Sequence, residues 1–180
     1  MTFEEIYLAH KNLVFNLALQ YLQNVEDAEE VTQDVFVSVH EKINTFRSDS
    51  SLKTWIYRIT INKSLDVIKS RKSKKRFAFI SSIFKDDGEG ALREIPMFHH
   101  PGIEMVHKEE IKAVLEGINQ LSDNQKTVII LLKIEQKSQQ EVAEIMDIST
   151  KAVESLFQRA KANLEIILSK SKENENKIVQ

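Results

Sequence analysis

SQQEVAEIMDISTKAVESLFQ, residues Ser138 to Gln158, decides the fold of the second half of this chain. Ser138 followed three residues later by Glu141 has the form of a capping box, so a short helix starts there. Val142, Ala143, Met146, Ile148, Val153 and Leu156 are apolar or small, at the spacing of two helices that cross around a tight turn. Ala143 lets the two axes approach where a larger side chain would hold them apart, and Ile148 is placed to plug the turn. Asp147 stands at the turn itself, where the backbone tends toward positive φ and aspartate is tolerated better than most residues. This is the pattern of a helix-turn-helix, with an ordinary helical hairpin as the alternative. Its second helix, from near Ser149 to about Leu168, would turn Lys151, Glu154, Ser155, Gln158, Arg159 and Lys161 outward, a set able to contact base edges and phosphates. Glu154 fits such a face least, since a carboxylate near phosphates repels unless it accepts from a cytosine amine.

Working outward, Ile111, Val114, Leu115 and Ile118 mark a helix, and Ser122 with Gln125 has the spacing of a capping box that restarts it. In the first half, Thr2 with Glu5 makes another such box, and Phe3, Ile6, Tyr7, His10, Val14, Leu17 and Tyr21 follow helical spacing. A second helix is expected from about Val25 to Asn44, with Ala28, Val31, Val35, Val39 and Ile43 on one face. Thr45 to Ser51 is polar and reads as a loop. Leu52, Trp55, Ile56, Ile59 and Asn62 then begin a third helix that ends in a cluster of lysines and arginines at Arg76. Strand-type alternation is nowhere sustained, so the fold class is all-α, with two small helical domains joined by a flexible linker. Both prolines, Pro96 and Pro101, and three of the four glycines fall within fifteen residues, which marks that linker. The expected division is a helical domain over 1–76, a linker over 77–106, a helix-turn-helix domain over 107–170 and a polar, frayed tail over 171–180.

Charge sharpens this division. The chain of 180 residues has a formal net charge of only -2, yet residues 47–76 carry ten basic and two acidic side chains. Residues 1–46 carry eight acidic and two basic ones. A local excess of this size suits a polyanion whatever the average charge, because local potential steers a phosphate backbone. A solvated helix end would carry lysines too. With 42% hydrophobic and 29% charged residues the chain can build packed cores and stay in solution. It has no cysteine, which excludes disulfides and thiolate metal sites. The acidic start MTFEEI does not read as a signal peptide and no apolar run approaches a bilayer span, so a cytoplasmic location without membrane insertion is expected.

The residue inventory offers little to an enzyme: no glycine-rich phosphate loop, no HExxH and no acid/base pair in a recognisable setting. His99, His100, Glu104 and His107 form the one metal-like cluster, at the end of the linker, and neither a metal site nor a cofactor is expected.

Three stretches taken together, AEEVTQDVFVSVHEKINTF (Ala28 to Phe46), TWIYRITINKSLD (Thr54 to Asp66) and EVAEIMDISTKAVESLFQRAKANL (Glu141 to Leu164), resemble bacterial RNA polymerase sigma factors of the extracytoplasmic-function group, in the sigma-70 superfamily. Order, spacing and separation all agree, over nearly the whole chain apart from linker and tail. The resemblance implies a two-domain promoter-recognition subunit, with core RNA polymerase and promoter DNA as partners and an anti-sigma factor, often membrane-bound in this family, as regulator. It implies docking on the polymerase clamp helices through Glu30, Gln33, Asp34, Phe36 and Val37; Glu29, Glu30 and Asp34 form an acidic patch better suited to protein than to DNA. It implies handling of the melted -10 element by the loop Arg47 to Ser51 and the helix after it. Arg47, Ser48, Ser50, Lys53, Trp55, Arg58, Asn62, Lys63 and Arg71 are the expected contacts there, a polar loop pocketing a flipped base and cations holding the strand. Trp55 could be a wedge at the duplex edge or a core residue. The -35 element would be read as duplex by Lys126, Lys151, Glu154, Ser155, Gln158, Arg159 and Lys161. This chain departs from the family in having Ser122 where proline is common, Lys126 for arginine, and Lys151 and Ala152 for a glycine-threonine pair. Lysine keeps the charge and loses the bidentate fork. A sigma-like decoy that titrates an anti-sigma factor and a free-standing helix-turn-helix regulator are the two other readings.

Overall fold

A computed structural model describes residues 2–46, 50–84 and 105–178, with side chains at 2–46, 50–74 and 111–171. Among the described residues the regular structure is helical, without strands, and it separates into two compact units.

The first unit holds three helices. Helix α1 (Phe3–Leu22) starts at the capping box: Thr2 Oγ1 accepts from the Glu5 N–H at 3.3 Å and the Glu5 carboxylate accepts from the Thr2 N–H at 2.8 Å. It stops at Gln23, whose φ of 53° is left-handed. Helix α2 (Val25–Lys42) follows at once, with Asn24 Oδ1 accepting from the Asp27 N–H at 2.9 Å, and leads into a 3₁₀ turn at Ile43–Thr45. Helix α3 (Leu52–Phe84) opens where Ser51 Oγ accepts from the Thr54 N–H at 3.0 Å. Ile6, Val14, Leu17 and Tyr21 of α1 meet Ala28, Val31, Val35 and Val39 of α2 and Ile56, Tyr57, Ile61 and Leu65 of α3, all buried. Thr60 and Ser64 are buried on the same face of α3. Their hydroxyls donate to the carbonyls of Ile56 and Thr60, both at 2.8 Å, so small polar residues sit in this core without an unsatisfied donor.

Helix α3 runs eight residues past Arg76, where the sequence shows no sustained period. No proline or glycine falls between 77 and 84, and extending an existing helix costs far less than starting one. The last helix overruns its expected end at Leu168 for the same reason.

The second unit contains α4 (Met105–Gln120), α5 (Asp123–Ile129), a π-helical turn (Ile130–Ile134), α6 (Gln139–Met146) and α7 (Thr150–Ile178). Ser122 has the extended backbone of a cap, but no side-chain cap bond forms; Gln125 instead accepts from Asn163 Nδ2 of α7 at 3.1 Å. The expected capping box there is thus replaced by a tie between helices. The π turn is closed by the Glu135 N–H on the Ile130 carbonyl at 2.9 Å, and the chain leaves it through Gln136 at φ 51°. Helix α6 begins with the box read from the sequence: Ser138 Oγ accepts from the Glu141 N–H at 3.2 Å and Glu141 from the Ser138 N–H at 2.9 Å. Asp147 takes φ 56°, ψ 47°, the left-handed turn expected of it.

Val142, Ala143 and Val153 are buried at the α6–α7 crossing, joined in the core by Ile118, Leu121, Val128, Ile130, Leu131 and Ala160. Ile148 does not plug the turn, being 37% exposed. The turn is closed by backbone instead, the Ile148 N–H donating to the Ala143 carbonyl at 3.1 Å. Gly117 lets α4 approach α7: a Cβ there would lie 2.9 Å from Leu164 Cδ1 and 3.3 Å from Leu168 Cδ2. None of the described helices is long and apolar enough to cross a membrane.

Candidate functional site

Three surfaces carry the side chains singled out by the sequence. On α2, Glu30, Gln33, Asp34 and Val37 are exposed on one face, as helical spacing of three and four residues requires. Phe36 is not on it. It is 4% exposed, with its ring edge-on to Tyr7 at 4.8 Å and to Phe3 at 6.4 Å. A position three residues beyond Gln33 and one before Val37 falls at the margin of that face, and the aromatic rings of α1 draw it inward. Phe36 is therefore the floor of a cleft of about 370 Å³ lined by Phe3, Tyr7, Gln33, Val37, His40 and Glu41. Phe3 and Tyr7, which helical spacing assigns to the apolar face of α1, are 37% and 39% exposed. Their place at the N-terminal end of an apolar stripe is the signal the sequence carried.

On α3 the expected contacts divide. Trp55, Arg58 and Asn62 follow one another at spacings of three and four, and Asp66 and Lys69 continue the same stripe. Asn62 and Asp66 are exposed, Trp55 and Arg58 half-buried. The Trp55 ring lies 5.1 Å from that of Phe46 at an interplanar angle of 38°, so it is part of an aromatic pair that ties the start of α3 to the residue after the 3₁₀ turn, neither fully core nor fully free. Lys63 is turned toward α2, 3.9 Å from Asp34. Arg71 lies on the core side of the helix and pairs with Asp27 in the first turn of α2, a carboxylate only 17% exposed. The structure thus commits Arg71 to joining α3 to α2, where an open strand contact was expected. Lys53 is exposed on that same side, and its charge, after burial, is the second cause that lowers the pKa of His10 on α1. Ser50 is half-buried; Arg47 and Ser48 lie outside the described residues.

In the second unit Lys151, Glu154, Ser155, Gln158, Arg159 and Lys161 are all exposed. At about 100° per residue they occupy an arc of roughly 160° on α7. Ser149 Oγ accepts from the Ala152 N–H at 3.2 Å and fixes the start of that helix. Lys126 is the exception among the expected duplex contacts. It is 3% exposed and its ammonium donates to Asn119 Oδ1 at 2.6 Å, so its charge is turned into the unit and not presented on the outward face where a duplex contact was expected. A long aliphatic stem makes such burial feasible once a polar group meets the head.

No group of three or more histidine and carboxylate side chains suited to a metal ion occurs among the described residues. His99, His100, Glu104 and the side chain of His107 lie outside them.

Two family models match the chain, Sigma-70 region 2 over residues 6–74 and Sigma-70, region 4 over residues 111–164. The first coincides with the cleft and the α3 stripe, the second with the crossing helices. The chain is 28% identical over 163 residues to the ECF RNA polymerase sigma factor SigW of Bacillus subtilis strain 168, covering 90% of this chain and 86% of that protein. It is 29% identical over 161 residues to the ECF RNA polymerase sigma-E factor of Haemophilus influenzae, covering 87% and 82%. In fold it is similar to the sigma factor RpoE of Bartonella quintana, solved with the anti-sigma factor NepR, at a TM-score of 0.59 and 20% identity over 93% of this chain and 96% of that one.

Proposed function

The chain belongs to the extracytoplasmic-function group of the sigma-70 superfamily, and from that membership we propose that it binds core RNA polymerase and directs promoter-specific transcription initiation. The observation that carries this reading is the pairing, on one chain, of two different binding units. One joins an acidic and apolar face to a basic helix; the other presents an outward set of polar and charged side chains from the second helix of a helix-turn-helix.

The α2 face, with Glu30, Gln33, Asp34 and Val37 around the aromatic cleft, docks the polymerase. Exposed apolar area supplies the drive for association, and the carboxylates select a basic partner surface. The loop after Phe46 and the stripe through Trp55, Arg58 and Asn62 handle the -10 element: the loop takes an unpaired base, the Trp55–Phe46 pair offers an edge for stacking, and Arg58, on the stripe itself, neutralises the strand. The α7 face reads the -35 duplex through its major groove, Lys151, Ser155 and Gln158 facing bases and Arg159 and Lys161 facing backbone. Segment 77–106 links the two activities. The chain acts as a binding subunit and not as a catalyst, in the cytoplasm, and an anti-sigma factor covering these same faces is the regulator we infer, the complex of the Bartonella relative being its precedent.

Transcription reconstituted with core enzyme on pooled genomic fragments tests this. Start sites whose upstream DNA aligns on two separated elements are expected; a protein that binds core enzyme yet never directs a discrete start would sink the reading. Substituting Lys151 or Gln158 should then change the upstream preference at single base positions.

A further inference from the structure

The π turn between α5 and α6 brings Lys133, a residue outside the set assigned to DNA, beside the recognition helix. Its Nζ lies 5.2 Å from the centre of the Phe157 ring on α7, and the Nζ of Lys161, one turn further along α7, lies 5.9 Å from the same centre. Two ammonium groups sharing one ring are no more than about 11 Å apart. Both lysines are exposed, and among the described residues neither forms an ion pair with a carboxylate. Two exposed ammonium groups on one ring make a local excess of positive potential that suits an anion.

We propose that Lys133 and Lys161, held by the ring of Phe157, form a two-cation clamp on the phosphate backbone of the duplex read by α7. The proposal rests on the function argued above and adds to it a contact from outside the helix-turn-helix. The ring attracts both ammonium groups and narrows the conformations of two flexible side chains, which lowers the ordering cost of binding an anion. Phe157 lies just beyond the Lys161 edge of the outward arc of α7, so the clamp extends that arc sideways, where a groove-bound helix meets the flanking strand. A π turn holds one residue more than an α turn and rotates the chain beyond it by about 100° relative to a continuous helix. Lys133 is the fourth residue of that turn.

The test uses holoenzyme assembled from core polymerase and full-length chain, on promoter fragments taken from mapped start sites, with affinity measured across a salt series. Lys133→Ala and Lys161→Ala should each weaken binding several-fold by a similar factor on every promoter. Each should also reduce the slope of log affinity against log salt by about 0.9. Lys133→Arg should restore most of the slope, and Lys112→Ala, at a lysine paired with Glu116 on α4, should leave it unchanged. Phe157→Leu should weaken binding while both charges remain. An unchanged slope in Lys133→Ala overturns the clamp, as does a loss of affinity for core enzyme without any change in the DNA slope, which would make Lys133 a protein contact. A wild-type holoenzyme without promoter-specific starts would instead defeat the sigma reading itself.

Discussion

The guanidinium of Arg71 meets the Asp27 carboxylate in the first turn of α2, and the second oxygen of that carboxylate is buried without a hydrogen-bond partner among the described residues. Asp27 is depleted of solvent enough that losing its cation matters, although Arg71 is itself 46% exposed and water screens the pair. Arg71→Ala should therefore destabilise the first unit by about 1–2 kcal/mol in urea unfolding, between the range for surface pairs and that for buried ones. Adding Asp27→Asn should recover part of the loss. A variant as stable as wild type but weak on DNA would return Arg71 to the strand contacts. His10 gives a second residue-level expectation. Burial and then Lys53 lower its pKa below 6.5, so the folded chain releases a proton that the unfolded chain keeps. Stability then falls as pH drops through the unfolded value near 6.5, and unfolding midpoints compared between pH 7.5 and 5.5 should show a smaller drop in His10→Gln than in wild type. At this scale Asp147 was legible, because a non-glycine turn residue has few alternatives. Lys126 was not: an exposed and a buried lysine look alike until Asn119 is seen to meet the ammonium.

Helices were legible where a cap or a breaker marked them. Thr2 with Glu5 and Ser138 with Glu141 form the boxes their spacing promises, while Ser122 with Gln125 has the same spacing and a helix between packed partners, where Asn163 competes for the glutamine. The run Ile130, Leu131, Leu132, Lys133, Ile134 hides its π turn because four apolar residues in five give no period to read. The α4–α7 crossing likewise depends on Gly117, unremarkable in sequence. Replacing it by alanine gains about 1 kcal/mol of helix propensity, offset by pressing a Cβ on the movable end of Leu164, so Gly117→Ala should be near neutral. Gly117→Val adds two more methyl groups and should cost about 1–3 kcal/mol through overpacking, read as a lowered melting temperature. Equal melting of all three chains would mean that the two helices can separate freely.

Across the molecule, the all-α class and the two-unit organisation follow from periodicity, from a linker holding both prolines and most glycines, and from alternating blocks of charge. The candidate surfaces were legible as faces and less so as members: spacing finds the outward stripe, but it does not tell which cation on a stripe is already taken by a neighbouring helix.

Among the described residues, left-handed backbone occurs outside glycine at Gln23, Gln136 and Asp147, each closing a helical segment. An L side chain in that conformation is strained by about 1–2 kcal/mol for most residues, and aspartate eases it in part. Glycine at all three should raise the melting temperature by several degrees without touching any proposed contact, the two glutamine sites contributing more than Asp147; no gain would mean that these side chains repay their strain. Such a gain would be thermal headroom left unused at the turns. Variants made there offer a sturdier background in which otherwise disabling surface substitutions can be studied while the protein stays folded.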